Sequence, residues 1–500
     1  MAKAAHHLLV HEPDHREALW EGRILLLIFP LLGIAAAFAL AWRVGGPTAA
    51  TISALFMTLD PNLLFHGHLI TTDVPLTALL LAGAWACESH LHRPRALTLL
   101  GVWVVVASAI LVKFNGLVAL VYLVALGLNR GKRGLMEATG GLVFGWLMMV
   151  LMYGAGFSGW IPPAYLEGLR YVGEHAGGRT VFLDGVAGAG SFPLHALASV
   201  VAKTPVWLLV AATAGLFTGA MKQLRPLAIV ALLCFVASLA SPLNLGVRHC
   251  LPWMGLLWVA SGLGLAQALR NRTLIPVSLT IVGSIVIFVM LGSRLLSQSK
   301  LGQGLWEMTG PGIPLFQRIA PGLILLVVGL AGLRWKTRFW VPLMGLLPLS
   351  ILLMSPRGYA GFDSRLVGGG LKGFVSDSNI DWGQDFVRLG RFLDNQGIRE
   401  ARVWLFGLDV IPTNANLYAF PASYDTIRFQ GLSDTPMMPG DYLVVSEHVL
   451  ALPSSIMRYA LLAPLRHHLS AMERIDTHLD SLRLYRLPPA LVDSSSTHAR

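Results

Sequence analysis

From the N-terminus onward the chain is a series of apolar runs cut by short polar or Gly/Pro-containing breaks. Twelve runs stand out, at about 22–42, 49–65, 73–89, 96–112, 114–129, 136–156, 196–218, 226–241, 250–268, 274–292, 315–333 and 338–354. A hydrocarbon core of ~30 Å takes ~20 helical residues, so these runs predict membrane-spanning helices. Several are short, and the run 49–65 contains Asp60-Pro61, which predicts a break near its end. After Ser355-Pro356-Arg357-Gly358 the pattern changes. Val403–Gly407, Tyr442–Ser446 and Leu482–Leu487 are short β-branched or alternating runs that predict strands. Phe386–Asn395 and Ser454–Leu461 have the spacing of amphipathic helices. The expected fold is a polytopic α-helical membrane protein of about twelve spans with a small C-terminal α/β domain. Its parts are an N-terminal segment 1–21, a membrane domain 22–354 with a long loop 157–195, the α/β domain 355–491 and a Ser-rich, disordered tail 492–500.

Composition agrees with that pattern. The 500 residues are 54% hydrophobic and 13% charged, against about 25% charged in a soluble domain. The net charge of +11 does not imply a nucleic-acid partner, because the cations fall in short loops between apolar runs. Thirteen of them occupy one alternate set of six loops: Arg43; Arg93 and Arg95; Arg130, Lys132 and Arg133; Lys222 and Arg225; Arg270 and Arg272; Arg334, Lys336 and Arg338. The other short loops hold only Lys113 and Arg248. The positive-inside rule makes the first set cytoplasmic. The opposite, extracytoplasmic face then carries 66–72, 157–195, 293–314 and 355–500. Twelve spans would also put residues 1–21 outside, although they contain no signal peptide or apolar run; the expectation is a further span upstream. Cys87, Cys234 and Cys250 lie in or beside the spans and predict neither a disulfide framework nor a zinc site.

The polar residues worth examining collect on the expected outer face. Asp73 follows Thr71-Thr72 and precedes Val74-Pro75. Thr72 is placed to cap the helix and Asp73 to sit at its positive end, either as a first-turn acid or as a carboxylate that binds a cation or orients a hydroxyl. His66 and His68 are candidate metal or phosphate partners, or plain interfacial polar residues. Asp60 before Pro61 predicts a helix start and a structural role. Arg248 breaks the charge rule and suits a lipid phosphate or an outer-domain carboxylate. Lys203, before Thr204-Pro205 near the outer start of a span, is expected to snorkel to the headgroups or to meet a phosphate. Asp381, Trp382 and Gln384 lie in an acid- and amide-rich stretch that suits sugar hydroxyls and a sugar face, or an Asx-turn ahead of Phe386. No phosphate-binding Gly-rich loop, nucleophile elbow or His-Glu-x-x-His pattern occurs, so the activated bond is expected in the substrate itself.

Four groups of residues occur in order: Asp60-Pro61-Asn62 with His66-Gly67 and Thr72-Asp73; Gly177-Gly178-Arg179 with Lys203-Thr204-Pro205; Asn244-Leu245-Gly246-Val247-Arg248-His249 with Pro252; and Asp377-Ser378-Asn379 with Asp381-Trp382-Gly383-Gln384-Asp385. Together, over roughly residues 10–490, they resemble bacterial members of glycosyltransferase family 39, the protein mannosyltransferase-like enzymes of the GT-C superfamily. The resemblance implies a GT-C fold and inverting sugar transfer from a polyprenyl-phosphate donor at the outer face. In that family an acid of an Asp-Glu pair in the first outer loop looks to be the general base. A second Asp, matched here by Asp73, helps form the site and often supports a divalent cation such as Mg or Mn. Arg248 and His249 match the region that meets the donor phosphate. The Asp-Glu pair and the span before it have no counterpart here; Glu12-Pro13-Asp14-His15 matches only the end of that loop.

The function expected from the sequence is therefore a glycosyltransferase of the bacterial inner membrane. It would move a sugar from a polyprenyl-phosphate donor to a protein, lipid or glycan hydroxyl, with Asp73 at the site and Arg248, His249 and Lys203 on the phosphate. A truncated, non-catalytic relative and a lipid or solute transporter are the alternatives. The polar groups gather at one face rather than at the midplane, which weighs against transport.

Overall fold

Polar and glycine breaks decide how the apolar runs become helices. The computed structural model describes residues 15–154, 160–175, 180–183, 186–189, 193–241, 246–271, 273–298, 306–308, 315–335, 364, 375–376, 386–404, 428–431, 440–446, 472–477 and 482–488. The first run forms α1 (His15–Leu26) and α2 (Ile28–Thr58). Straight, the 31 residues of α2 would be about 46 Å long, well beyond a ~30 Å core. They fold back instead. Gly46 takes φ 77° ahead of Pro47, a conformation that costs glycine little. A Cβ on Gly33 would lie 2.8 Å from Cε of Met57, although a straight helix would hold these residues about 36 Å apart.

The next helices are α3 (Pro61–His66), α4 (Asp73–His92) and α5 (Ala96–Val112). A 3-10 turn, Phe114–Ala119, leads into α6 (Leu120–Tyr153). α6 is a second hairpin: Gly131 has φ 58°, and a Cβ on Gly141 would lie 2.6 Å from Cδ2 of Leu123. Arg130, Lys132 and Arg133 surround that turn. Beside it Glu137 is gripped by the Arg130 guanidinium at 2.6 Å and approached by His90 Nε2 at 3.3 Å. This knot ties the end of α4 opposite Asp73 to the α6 turn.

The chain continues through α7 (Pro163–His175), β1 (Thr180–Leu183), β2 (Val186–Ala189), α8 (Pro193–Lys203), α9 (Val206–Leu216) and α10 (Arg225–Ala240). A 3-10 turn, Gly246–Cys250, precedes α11 (Leu251–Ala268), followed by α12 (Leu274–Gln298), β3 (Trp306–Met308) and α13 (Leu315–Trp335). The span expected at 196–218 is broken. α8 and α9 meet at 116° around Lys203-Thr204-Pro205, because Pro205 has no N–H to give and forces Thr204 away from helix.

Among the described residues seven helices are long and apolar enough to cross a membrane, or eight if α8 and α9 count as one span. Two of the seven, α2 and α6, fold back at Gly46 and Gly131, so each carries two of the expected runs; α5 is a shorter apolar helix, and the run 338–354 lies outside the described residues. The protein is an integral membrane protein of helical architecture.

α4 and α11 form the centre. Of their most apolar stretches 83% and 78% is buried, against 22% for α6 and 28% for the stretch containing α10. Small residues let α11 approach its neighbours closely. A Cβ on Gly262 would fall 2.2 Å from the Ala49 carbonyl oxygen, and one on Gly264 2.1 Å from that of Ala211.

Two sheets complete the fold. The first has the order β3-β2-β1-β4, with β4 at Val375–Ser376, and all its pairs are antiparallel. It joins three segments that the charge map assigns to one face. The second has the order β6-β5-β7-β9-β8, from β5 (Glu400–Trp404), β6 (Arg428–Gly431), β7 (Tyr442–Ser446), β8 (Glu473–Ile475) and β9 (Leu482–Arg486). β5 is parallel to β6 and β7, whereas β7–β9 and β8–β9 are antiparallel. Helix α14 (Phe386–Asn395) lays Leu389 and Leu393 on Val403, Val444 and Leu484. The expected strand 403–407 begins earlier, at Glu400, and the expected helix 454–461 and tail 492–500 lie outside the described residues.

Candidate active site

The connection between α2 and α4 is held by a buried carboxylate. Asp60 caps α3, with Pro61 in the first turn, as the Asp-Pro pair predicts. Its Oδ1 accepts from the Asn62 backbone N–H at 2.8 Å and from Asn62 Nδ2 at 2.9 Å; its Oδ2 accepts from Trp258 Nε1 at 2.7 Å. Asn62 Nδ2 also donates to the Lys203 carbonyl at 2.9 Å. One acid thus joins the connection 59–72, the central helix α11 and the α8–α9 elbow. Burial pushes its carboxyl up to about 6, while the bonds from Trp258 and Asn62 pull the other way.

Trp258→Phe keeps the ring but removes the indole donor, and is expected to cost about 1.5–3 kcal/mol. The native carboxyl holds its proton more tightly than the unfolded one. Ionisation therefore favours unfolding as pH rises from the unfolded value of 3.8 to about 6, and the penalty is constant above. The Trp258→Phe deficit should be largest above pH 6 and shrink in acid. Thermal melts of both proteins across that range check it.

Asp73 opens α4 and is buried. Thr72 occupies the N-cap position without a side-chain bond, contrary to expectation, because its backbone is already helical and turns the hydroxyl from the required geometry. The Asp73 carboxylate is instead paired with Lys113 Nζ, and its backbone carbonyl accepts from Thr77 Oγ1 at 2.8 Å. The charges of His249 and Arg248 also act on it. Lys113 therefore pairs with this buried acid, and the adjacent Arg248 and His249, from a distant part of the chain, lie near enough for their charges to act on it. Arg248 and His249 are the expected ones, presented by the turn Gly246–Cys250 ahead of α11. Sequence reasoning left Lys113 out of the site.

A cavity of about 360 Å³ lies beside this cluster. Leu76 lies in its wall one turn below Asp73, Asn115 and Val118 come from the turn after Lys113, Cys234 and Ser238 from α10, and His249 reaches it from the Arg248 turn. Lys113 also acts electrostatically on Cys234. The cavity is thus lined by apolar and small polar side chains and meets the cluster through His249.

The other expected residues fall elsewhere. Lys203 is not a snorkelling residue: it ends α8 inside the elbow, 2% exposed, because the break at Pro205 turns the chain inward there. His66 is buried with its ring edge-on to Phe65 at 5.1 Å. His68 Nδ1 lies 3.2 Å from the Leu64 carbonyl, and burial lowers its pKa. Asp381, Trp382 and Gln384 lie outside the described residues. A divalent cation does not fit Asp73, whose partners are basic. Among the described residues no group of three or more His, Cys, Asp or Glu side chains is placed to hold a metal.

Residues 15–157, which contain the first of the four motif groups, match the family described as dolichyl-phosphate-mannose-protein mannosyltransferase, which bears out the family resemblance over that segment. No curated protein matches the chain. ArnT from Cupriavidus metallidurans in the apo state is similar with a TM-score of 0.43 and 15% identity, over 94% of this chain and 84% of that one. ArnT from the same organism bound to undecaprenyl phosphate gives a TM-score of 0.40 and 15% identity, over 93% and 84%. The helices that position Asp60, Asp73 and Lys113 thus fall within the segment, residues 15–157, that this chain shares with the dolichyl-phosphate-mannose-protein mannosyltransferase family.

Proposed function

We propose that the protein is a membrane glycosyltransferase that moves a sugar from a polyprenyl-phosphate donor to an acceptor hydroxyl at the extracytoplasmic face of a bacterial inner membrane. The observation that carries this reading is the buried Asp73–Lys113 pair, on which the charges of Arg248 and His249 also act, beside a 360 Å³ cavity that His249 helps to line. A lipid-linked phosphate needs that combination of an apolar hold for the first isoprene units and fixed cations for the headgroup. The family description over residues 15–157, which specifies a polyprenyl-phosphate-linked sugar, supports it, as does the charge alternation of the loops.

In this reading Arg248 and His249 grip the donor phosphate, and Lys113, held in place by Asp73, completes the cationic wall. The acceptor hydroxyl oxygen attacks the anomeric carbon as that carbon's bond to the phosphate oxygen breaks, and the hydroxyl proton passes to the departing phosphate. The electron pair stays on the departing polyprenyl phosphate, where the fixed cations stabilise it without reorganisation. A metal at Asp73 would have to displace Lys113, so no step runs through one. Lys203 serves by fixing the elbow.

The test is transfer of radiolabelled sugar from polyprenyl-phosphate donors in proteoliposomes. Asp73→Asn and Arg248→Ala are each expected to lower turnover about 10²–10³-fold, the scale of a lost preorganised charge contact. Unchanged turnover in both variants would overturn the assignment.

A further inference from the structure

We propose that α7 is a membrane-interface helix whose Leu166–Leu169 flank rests in the outer-leaflet lipid. It is joined to the bundle by a narrow contact. Tyr165 alone in it is fully enclosed, with its ring edge-on to Phe114 at 5.1 Å and to Tyr153 at 5.5 Å. Gly168, one turn on, leaves room for the same Phe114; a Cβ there would lie 3.0 Å from its Cζ. The neighbouring apolar side chains stay uncovered: Leu166 is 46% and Leu169 41% exposed. Glu167 and Glu174 stand on the arc turned away from Leu169, and Arg170, beside Leu166, reaches across to Glu174 at 2.6 Å. An amphipathic helix with this division lies in the plane of a bilayer surface.

Lipid is the occupant because of where the helix begins. Trp160, 86% exposed, stands just before it, and its carbonyl accepts from the indole of Trp146 on α6. Trp146 lies about 10 Å inside the end of α6, so residue 160 sits alongside that helix and not above it. The same part of α6 exposes Leu147, Leu151 and Met152, which in a membrane-spanning helix face acyl chains. The apolar flank of α7 continues that surface, and exposed Trp is enriched at the headgroup boundary.

Spin labels test this on the full-length protein in lipid nanodiscs. They would be placed one at a time in Leu166→Cys, Leu169→Cys, Glu167→Cys and Glu174→Cys, each in a Cys234→Ser background. Labels at 166 and 169 are expected to collide with dissolved oxygen and be shielded from a water-soluble nickel chelate, and labels at 167 and 174 to show the reverse. Equal nickel access on both arcs would overturn the proposal by placing the whole helix in water. Protection of 166 and 169 from both reagents would overturn it by showing a protein cover.

Discussion

Lys113→Met is expected to destabilise the protein by about 3 kcal/mol and to abolish transfer, and adding Asp73→Asn should restore the stability but not the activity. Asp73 keeps 5% of its side chain exposed and Lys113 19%. Removing one member of a buried pair strands the other charge, at about 3–5 kcal/mol, and the residual exposure of Lys113 puts this pair at the low end. Converting both to neutral groups of similar shape removes the stranded charge and brings stability to within about 1 kcal/mol of the parent. A merely structural pair would recover activity along with stability. If Lys113, held in place by Asp73, instead completes the cationic wall for the phosphate, the double variant folds and stays inactive. Melting temperatures and proteoliposome transfer of the four proteins in the cycle separate the outcomes.

Gly215→Val should prevent stable assembly altogether, whereas Gly145→Ala should be neutral or stabilising by about 0.5–1 kcal/mol. A Cβ on Gly215 would fall 1.8 Å from the Ala260 carbonyl oxygen. That neighbour is backbone of the central helix α11, so no rotamer change relieves the clash. The two helices must separate, and the reciprocal fit of Gly264 against Ala211 is lost with it. Overpacking by single methylenes already costs about 1–3 kcal/mol where side chains can adjust; here three carbons press on a main chain. At Gly145 nothing lies within 4 Å of an added Cβ. The yield of monodisperse protein on size exclusion, with melting curves for whatever survives, gives the comparison.

Residue order showed the outline of this fold but not its joints. Asp60-Pro61 is a local signal and gave its cap correctly, because capping depends on neighbours in sequence. The Gly46 and Gly131 turns are legible in the cations around them. The elbow at Thr204-Pro205 was hidden inside an apolar run long enough to pass for one span, although proline marks it. Lys113 is the instructive omission. It and Arg248 are the only two cations in the short loops of the expected outer face, so both break the same charge rule. That shared anomaly marks two of the three basic residues that act on Asp73. The Gly215–Ala260 and Trp258–Asp60 contacts had no such signal, since they join helices far apart in sequence.

The sheet β3-β2-β1-β4 imposes an order in time. β1 and β2 form a hairpin early, with Leu183 opposite Val186, yet β1 waits for β4, roughly 190 residues later. At ribosomal rates of about 5–20 residues per second that is some 10–40 s. Both edges of the hairpin are open until β3 follows at Trp306–Met308, and the β1 edge stays open for the whole interval; unpaired edges recruit other strands. Biogenesis of this protein therefore includes a period in which every helix up to α13 has been synthesised while the sheet on their rim is unfinished, and an edge-binding chaperone would act there.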